Sequence, residues 1–437
     1  MKFSDVTLGC ICDYSGQVRG KGFLATNTDK MVKNGIGLAP TNLMITSFGD
    51  IVDSPWGSVG ELLMMPDPET EVVVETGEDM PDEHFMLCDL DNLDGTPWNC
   101  CPRHWLRRGL ETLESEFGFK LFAAFEHEFH YSGAPMRLGN AYNLDAMRLQ
   151  DGFIQRLMHA LAANDIEPQM AMPEFGPQQF EVTNKPAFGL KAADRAVRLR
   201  EITRAIARAH DAKATFAPVM AEGGVGNGVH VHFSLCRADG TPASYDPNAK
   251  YGLGKDLGHF VAGVLASVDS FIAMTAASNI SYERLQPHRW SASYNNLADR
   301  DREACLRICP LPRLPHSNPE KSFNVEFRAA DATANPYLVL GALVWAGIDG
   351  LRNKTPVPEA TTSDPDAMSQ SQRQKCGLKR LPTSLPQALD LMAASNKVKS
   401  WMGEEFHGAY IMNKCSEIKL LEGLDASEQI KRYTECF

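Results

Sequence analysis

Apolar residues recur at helical spacing in four stretches. Residues 105–117 are the first, and 146–163 the second, with Phe153, Ile154, Leu157, Met158 and Leu161 on one face. The third is 192–210, with Leu199, Ile202 and Ile206, and the fourth is 257–274. Before residue 92 the pattern is different. Short apolar or β-branched runs at 6–12, 42–46 and 71–75 are punctuated by Gly, Pro and Asp, which predicts strands and turns in a small β-rich unit. The Gly-, Pro- and Asn-containing passage 92–102 breaks the two regimes apart, so the expected domains are 1–97 and 98–437. In the second domain strand-like segments at 121–130, 169–171, 179–183, 215–218, 228–235 and 324–328 alternate irregularly with the helices. The predicted class is α+β, with a polar surface loop at 360–379.

Composition narrows the function. The 437 residues are 43% hydrophobic and 22% charged, enough for a large core and more than one domain. A formal charge of −12 gives no broad attraction to nucleic acid or an anionic membrane face, so small molecules are the expected partners. The first residues lack the apolar run and cleavage site of a signal peptide. The apolar stretch 260–278 contains Asp269 and repeats at helical spacing, which predicts a buried helix rather than a span. Eleven scattered cysteines read as free thiols of a cytoplasmic protein. Neither Cys10 with Cys12 nor Cys100 with Cys101 has the spacing of a zinc site.

Four segments carry chemistry. AAFEHEFH places Glu126 and Glu128 on one face of a strand and His127 on the other. Two adjacent carboxylates amid phenylalanines call for a cation, although a solvent-facing strand has the same alternation. PEFGPQQFEV offers Glu174 and Glu181. GNGVHVHFSL offers His230 and His232 behind a glycine-rich turn whose amides suit an anion, and a pair of hydrogen-bonded core histidines fits the same letters. FNVEFRAAD offers Glu326 and Arg328. Five carboxylates and a histidine suit Mg²⁺ or Mn²⁺ rather than zinc. Arg284, Arg300, Arg302 and Arg307 supply the positive charge that phosphoryl transfer needs, unless they form a solvated loop. No GxxxxGK[ST] is present, so a nucleotide would not be held by a P-loop.

The order of these segments resembles the glutamine synthetase family over residues 122–350: the FEHEF strand, the Glu174–Glu181 pair, GVGNGVHVHFSL, and the run from RLQP through LRI and VEFRAADATANPYL. The resemblance implies a β-grasp first domain and a larger catalytic domain with a curved antiparallel sheet flanked by helices. It also implies ATP as co-substrate, two or three divalent ions, and a cytoplasmic dodecamer of two hexameric rings with sites between subunits. Position by position, it gives Glu128, Glu174 and Glu181 to the metal beside glutamate and Glu126, His230 and Glu326 to the metal bridging the ATP phosphates. Arg284 and Arg328 would bind glutamate, with Gly226 in the adjoining backbone. Arg302, Arg307 and Lys321 would meet the phosphates, and His232 and Ser234 the nucleotide. Catalysis would fall to Arg302, Arg328 and Glu174. The implied reaction activates the γ-carboxylate of L-glutamate as γ-glutamyl phosphate, which an amine then displaces.

The departures from the family lie at the amine end. Its RLVPGYE run places an ammonium-binding glutamate six residues after the arginine, where RLQPHRW has Trp290. The aspartate-glycine-serine-serine latch is not recognisable in KNGIGLAPTNLMITSFGD, and Val225 replaces an asparagine. Losing acids removes both the charge that holds NH₄⁺ and a base for it. The expected acceptor is therefore an organic amine, alkyl, polyamine or aryl, with Trp290 lining its site and Glu174 or Glu61 as available acids. An arylamine, already neutral near pH 7, suits the substitution best. A true ammonia-using glutamine synthetase and an inactive structural or regulatory member of the family are the competing readings.

Overall fold

The computed structural model describes residues 5–77, 80–312 and 314–437. Two sheets organise the chain. Strands β1 (Val6–Cys12), β2 (Val18–Leu24), β3 (Ile36–Leu38), β4 (Leu62–Pro66), β5 (Val72–Val74) and β6 (Glu83–Asp91) form the first, in the order β2-β1-β6-β4-β3 with β5 also on β6. Only β1 and β6 run parallel in it, among the described residues. The second sheet contains β7 (Phe119–Tyr131), β8 (Pro168–Pro173), β9 (Gln179–Asn184), β10 (Ala187–Phe188), β11 (Ala214–Thr215), β12 (Val229–Arg237), β13 (Leu297–Asp299), β14 (Leu306–Ile308) and β15 (Val325–Phe327). Its order is β13-β14-β15-β12-β7-β9-β8, with β10 and β11 on β7, and every pair but β13–β14 is antiparallel. The fold is α+β, a small sheet domain followed by a large one with helices, as expected.

Helices Pro102–Phe117 and Leu190–Arg208 pack against β7, and Pro336–Arg352 packs on both. The apolar helical stretch Lys255–Met274 is long enough to cross a membrane by length and composition, but it is largely buried, and its α-helix, Lys255–Phe271, lies along Pro336–Arg352. Gly263 and Gly350 let these two backbones touch, since a Cβ on either would run into the other helix. Arg103 ties the first sheet's domain to the Leu190–Arg208 helix. Its buried guanidinium reaches Asp67 at 2.7 Å and Asp89 at 3.0 Å from the first sheet, and Asp194 at 2.9 Å on the Leu190–Arg208 helix. Cys101 and His104 lie near Asp89, but that carboxylate is taken by Arg103 and by Arg107 at 2.8 Å, so the group is an ion-pair network. Cys10, Cys12 and Cys100 are buried in the core.

Several local expectations are corrected. Residues 42–46 are not a strand: Pro40 opens a 3₁₀ turn, Pro40–Met44, with Asn42 N–H bonded to the Ala39 carbonyl. The helix expected over 146–163 is two, Leu144–Leu149 and Asp151–Ala163, each with its own N-terminus. Asn143 caps the first with hydrogen bonds from the Asp145 and Ala146 amides. The strand expected at 215–218 shrinks to Ala214–Thr215, because the Ala217 and Pro218 carbonyls bond Asn227 instead of a strand. The loop 360–379 contains a short helix, Gln370–Lys375, begun by a Ser369–Gln372 capping box that the Ser/Gln-rich composition conceals.

Candidate active site

Antiparallel register assembles the site. Residues directly opposite in neighbouring strands project to the same side of a sheet. Glu181 on β9 faces Glu128 on β7, Glu126 on β7 faces His230 on β12, His232 faces Glu326 on β15, and Glu326 faces Arg307 on β14. Since Glu126 and Glu128 share a face, as do His230 and His232, all seven side chains line one surface across five strands. His127 points the other way, buried beside Phe125 and Phe216, where burial and the Arg200 charge push its pKa down to about 3. It is a core histidine.

The acids repel one another. Burial, and then the charges of Glu126, Glu128, Glu174 and Glu326, push the Glu181 carboxyl well above the usual range. Burial lifts Glu128 to about 7, although its Oε2 accepts the Gly228 N–H at 2.7 Å. Glu174 follows β8, is raised by burial, and accepts a hydrogen bond from the Tyr142 hydroxyl. At the other end burial is outweighed. His232 and His230 hold Glu126 low, and His230 and Arg328 hold Glu326 at about 2.

Both imidazoles meet the same two carboxylates. His230 Nδ1 lies 3.8 Å from Glu126 and 3.5 Å from Glu326, and His232 Nε2 lies 3.3 Å and 3.9 Å from them. Burial lowers the His230 pKa to about 4. For His232 burial acts the same way, but the Glu126 charge wins and raises it. The His232 Nδ1 pairs with the Asn324 side-chain oxygen at 2.8 Å, while its buried Nε2 has no hydrogen-bond partner. A ring nitrogen without a partner, aimed at two carboxylates, fits a divalent cation bound by oxygen and imidazole donors. Glu126, His232 and Glu326 offer three such atoms within 4.8 Å of one another.

The glycine-rich turn is pressed onto Arg284. A Cβ on Gly226 would sit 2.7 Å from the Arg284 Cγ, and one on Gly228 would sit 2.5 Å from its Nη2. Gln179 fixes the turn by donating to the Gly226 carbonyl at 2.9 Å and to Asn227 at 2.8 Å. Arg284 is buried, donates to the Arg328 carbonyl at 3.1 Å, and leaves its Nη1 without a partner. A buried guanidinium nitrogen left over fits an anionic ligand.

Arg328 ties three segments together. Its guanidinium donates to the Arg302 carbonyl at 2.7 Å, the Trp290 carbonyl at 3.1 Å and the Glu326 carboxylate, which also accepts from Arg307 at 2.7 Å. Trp290 itself is 62% exposed. Its ring centroid is 6.0 Å from that of Phe175, which in turn lies 5.9 Å from that of Tyr142.

The sheet thus gathers Glu126, Glu128, Glu181, His230, His232, Glu326 and Arg307, with Arg328 just past β15, Arg284 at the end of the short helix Ser281–Arg284, and Glu174 and Gly226 on the adjoining turns. Ser234 continues the same strand, half-buried opposite Phe122. Arg302 and Lys321 are exposed. Asn324, Gln179, Glu303, Phe175 and Tyr142 were not singled out from the sequence. Phe175 stood beside Glu174 in a motif and could have been; Tyr142 gives no local signal.

A family model described as the glutamine synthetase catalytic domain matches residues 99–433, and one for the glutamine synthetase N-terminal domain matches 6–98. A γ-glutamylpolyamine synthetase of Streptomyces coelicolor is 30% identical over 86% of this chain and 80% of its own length. A glutamine synthetase of Methanocaldococcus jannaschii is 28% identical over 85% and 81%. A solved structure titled as a novel glutamine synthase homolog superposes with a TM-score of 0.92 at 37% identity, over 100% of this chain and 99% of that one. Members of this family use ATP and divalent metals to join an amine or ammonia to glutamate. The chain belongs to the glutamine synthetase family and is an ATP-dependent carboxylate–amine ligase.

Proposed function

We propose that this ligase forms γ-glutamylamides from L-glutamate and an organic amine in preference to ammonia. The observation that carries the reading is Trp290. An indole occupies the place of the family's ammonium-binding acid, stands exposed at the site and is fixed there by Arg328 through its carbonyl. An apolar π-face favours an amine with an organic body over NH₄⁺, which needs carboxylates. The relative from Streptomyces coelicolor, named for polyamines, supports an organic acceptor.

On this reading Arg284 and Arg328 hold the glutamate carboxylates beside Gly226, and the unpartnered Nη1 of Arg284 supports that role. Glu128, Glu174 and Glu181 hold one divalent ion, Mg²⁺ or Mn²⁺, and Glu126, His230 and Glu326 another. The unpartnered His232 Nε2 supports adding that residue to the second set beside its part in nucleotide binding. When bound, the ions would supply positive charge to the phosphates and to the reacting carboxylate. Arg302, Arg307 and Lys321 bind the phosphates, and Ser234 the nucleotide. Arg302 and Arg328 stabilise charge developing on the transferring phosphate. Glu174, raised by burial, takes the proton of the attacking amine.

Residues 1–97 and 98–437 form the two domains, and the matching family models, which meet between 98 and 99, support that division. Assembly into a cytoplasmic dodecamer of two hexameric rings is part of this proposal, and exposed apolar side chains such as Val59, Leu138 and Leu144 are compatible with burial between copies. The test of the reaction is glutamate-dependent ADP release, with product analysis, on ammonia, methylamine, ethanolamine, putrescine and aniline. Clear preference for ammonia would overturn the acceptor assignment.

A further inference from the structure

Three large aromatic side chains stand in contact beside Glu174: Tyr142 is 63% exposed, Phe175 57% and Trp290 62%. They come from three separate loops, and solvent gains nothing from gathering them. Two of the three are held there at a cost. Tyr142 and Trp290 adopt left-handed backbone, φ 52° and 54°, as does His288 at 59°, a conformation that side chains of this size rarely take. The surroundings fix it. The Tyr142 N–H bonds the Pro173 carbonyl at 2.9 Å, and its hydroxyl bonds Glu174. The two carboxylate oxygens of Glu303 accept the N–H of Trp290 at 3.0 Å and of His288 at 3.2 Å, while Arg328 holds the Trp290 carbonyl from the other side.

We infer that Tyr142, Phe175 and Trp290 form one aromatic wall that receives the body of the acceptor amine, and that Glu303 is the positioning residue that keeps its outer member standing. The inference rests on the ligase reading and narrows its acceptor to a flat, apolar primary monoamine such as an arylamine. The two carboxylates that touch the wall are engaged, Glu303 by two amides and Glu174 by Tyr142, and Glu174 is assigned to the reacting nitrogen. Asp364 and Asp366 face His288 instead, at 3.8 and 3.7 Å. A second ammonium group, as in a diamine, would find neither Glu303 nor Glu174 free. It would also approach Arg289, which is tied to the Gly223 and Gly224 carbonyls beside the same loop.

Steady-state kinetics on the full chain separate the possibilities. Aniline, putrescine and hydroxylamine serve as acceptors for the wild type and for Phe175→Ala, Glu303→Ala and Glu303→Gln. Hydroxylamine is a small neutral nucleophile that needs no wall. Phe175→Ala is expected to raise KM for aniline about tenfold, the size of a good aromatic contact. KM for hydroxylamine and for glutamate should stay within about twofold. Glu303→Ala should do the same to aniline, and Glu303→Gln, which keeps one acceptor oxygen, should recover part of the loss. Equal shifts for aniline and hydroxylamine, no shift at all, or wild-type preference for putrescine would overturn the inference. Absence of glutamate-dependent ADP with every acceptor would remove the ligase reading, and the wall with it.

Discussion

Glu128 and Glu181 face each other directly across β7 and β9, an acid opposite an acid on a largely buried surface. Like charges in that arrangement destabilise a strand pair, and a cation between them reverses the sign. Glu181→Gln should therefore stabilise the metal-free protein by about 1 kcal/mol. The same change should shrink the rise in melting temperature that saturating Mn²⁺ produces in the wild type. Thermal unfolding with and without Mn²⁺ measures both. A variant that is less stable without metal, and responds to Mn²⁺ as before, would refute the assignment.

Arg284 has a buried nitrogen with nothing to bind. Arg284→Lys keeps the charge and loses the planar fork. It should raise KM for glutamate by about one hundredfold, equivalent to about 3 kcal/mol, and leave KM for ATP nearly unchanged. Initial rates with each substrate varied in turn decide it.

Gly226→Ala puts a methyl group against the Arg284 stem. The guanidinium must shift to accommodate it, so glutamate-dependent kcat/KM should fall by about tenfold or more. The melting temperature should stay within a few degrees. Calorimetric unfolding beside the kinetics separates this local displacement from general loss of fold.

Trp290→Glu restores an acid where the family binds ammonium. The backbone there is left-handed for either residue, so the change alters chemistry more than shape. We expect kcat/KM for ammonia to rise at least about tenfold while that for aniline falls, since charge and a proton acceptor return together. Unchanged discrimination between the two amines would count against Trp290 as the determinant.

Asp13 provides a pH test away from the acid row. Burial raises its carboxyl to about 6, against the pull of Arg19 at 2.5 Å. Between its ordinary value and 6 the folded chain keeps a proton that the unfolded chain releases, so this group makes stability fall as pH rises across that window. Asp13→Asn carries no such charge. The variant should gain on the wild type between pH 4 and pH 7 by up to about 3 kcal/mol, the equivalent of two pKa units. Denaturant midpoints at the two pH values test the sign; a widening deficit for the variant would contradict it.

Much of the site was legible in short segments because strand geometry fixes what a two-residue spacing means. Glu126 with Glu128, and His230 with His232, had to share faces once each run was a strand. The correction at 42–46 shows the limit. A short run containing Leu43, Met44 and Ile45 reads equally as a strand or a turn, and Pro40 together with the Ala39 carbonyl settled it. The break at Gln150 was hidden for a related reason, since helical spacing survives an interruption of one residue.

The sequence by itself determined the α+β class, the family and the inventory of acids, imidazoles and arginines, because these depend on residue identity and local periodicity. Tertiary structure alone decided that Glu181 meets Glu128, that both imidazoles address Glu126 and Glu326, and that Glu303 carries the Trp290 loop. Those relations join residues from 13 to 106 positions apart through strand register and long-range contacts. No local preference of the chain encodes them, since each exists only after the sheet has closed and the loops have been pinned against it.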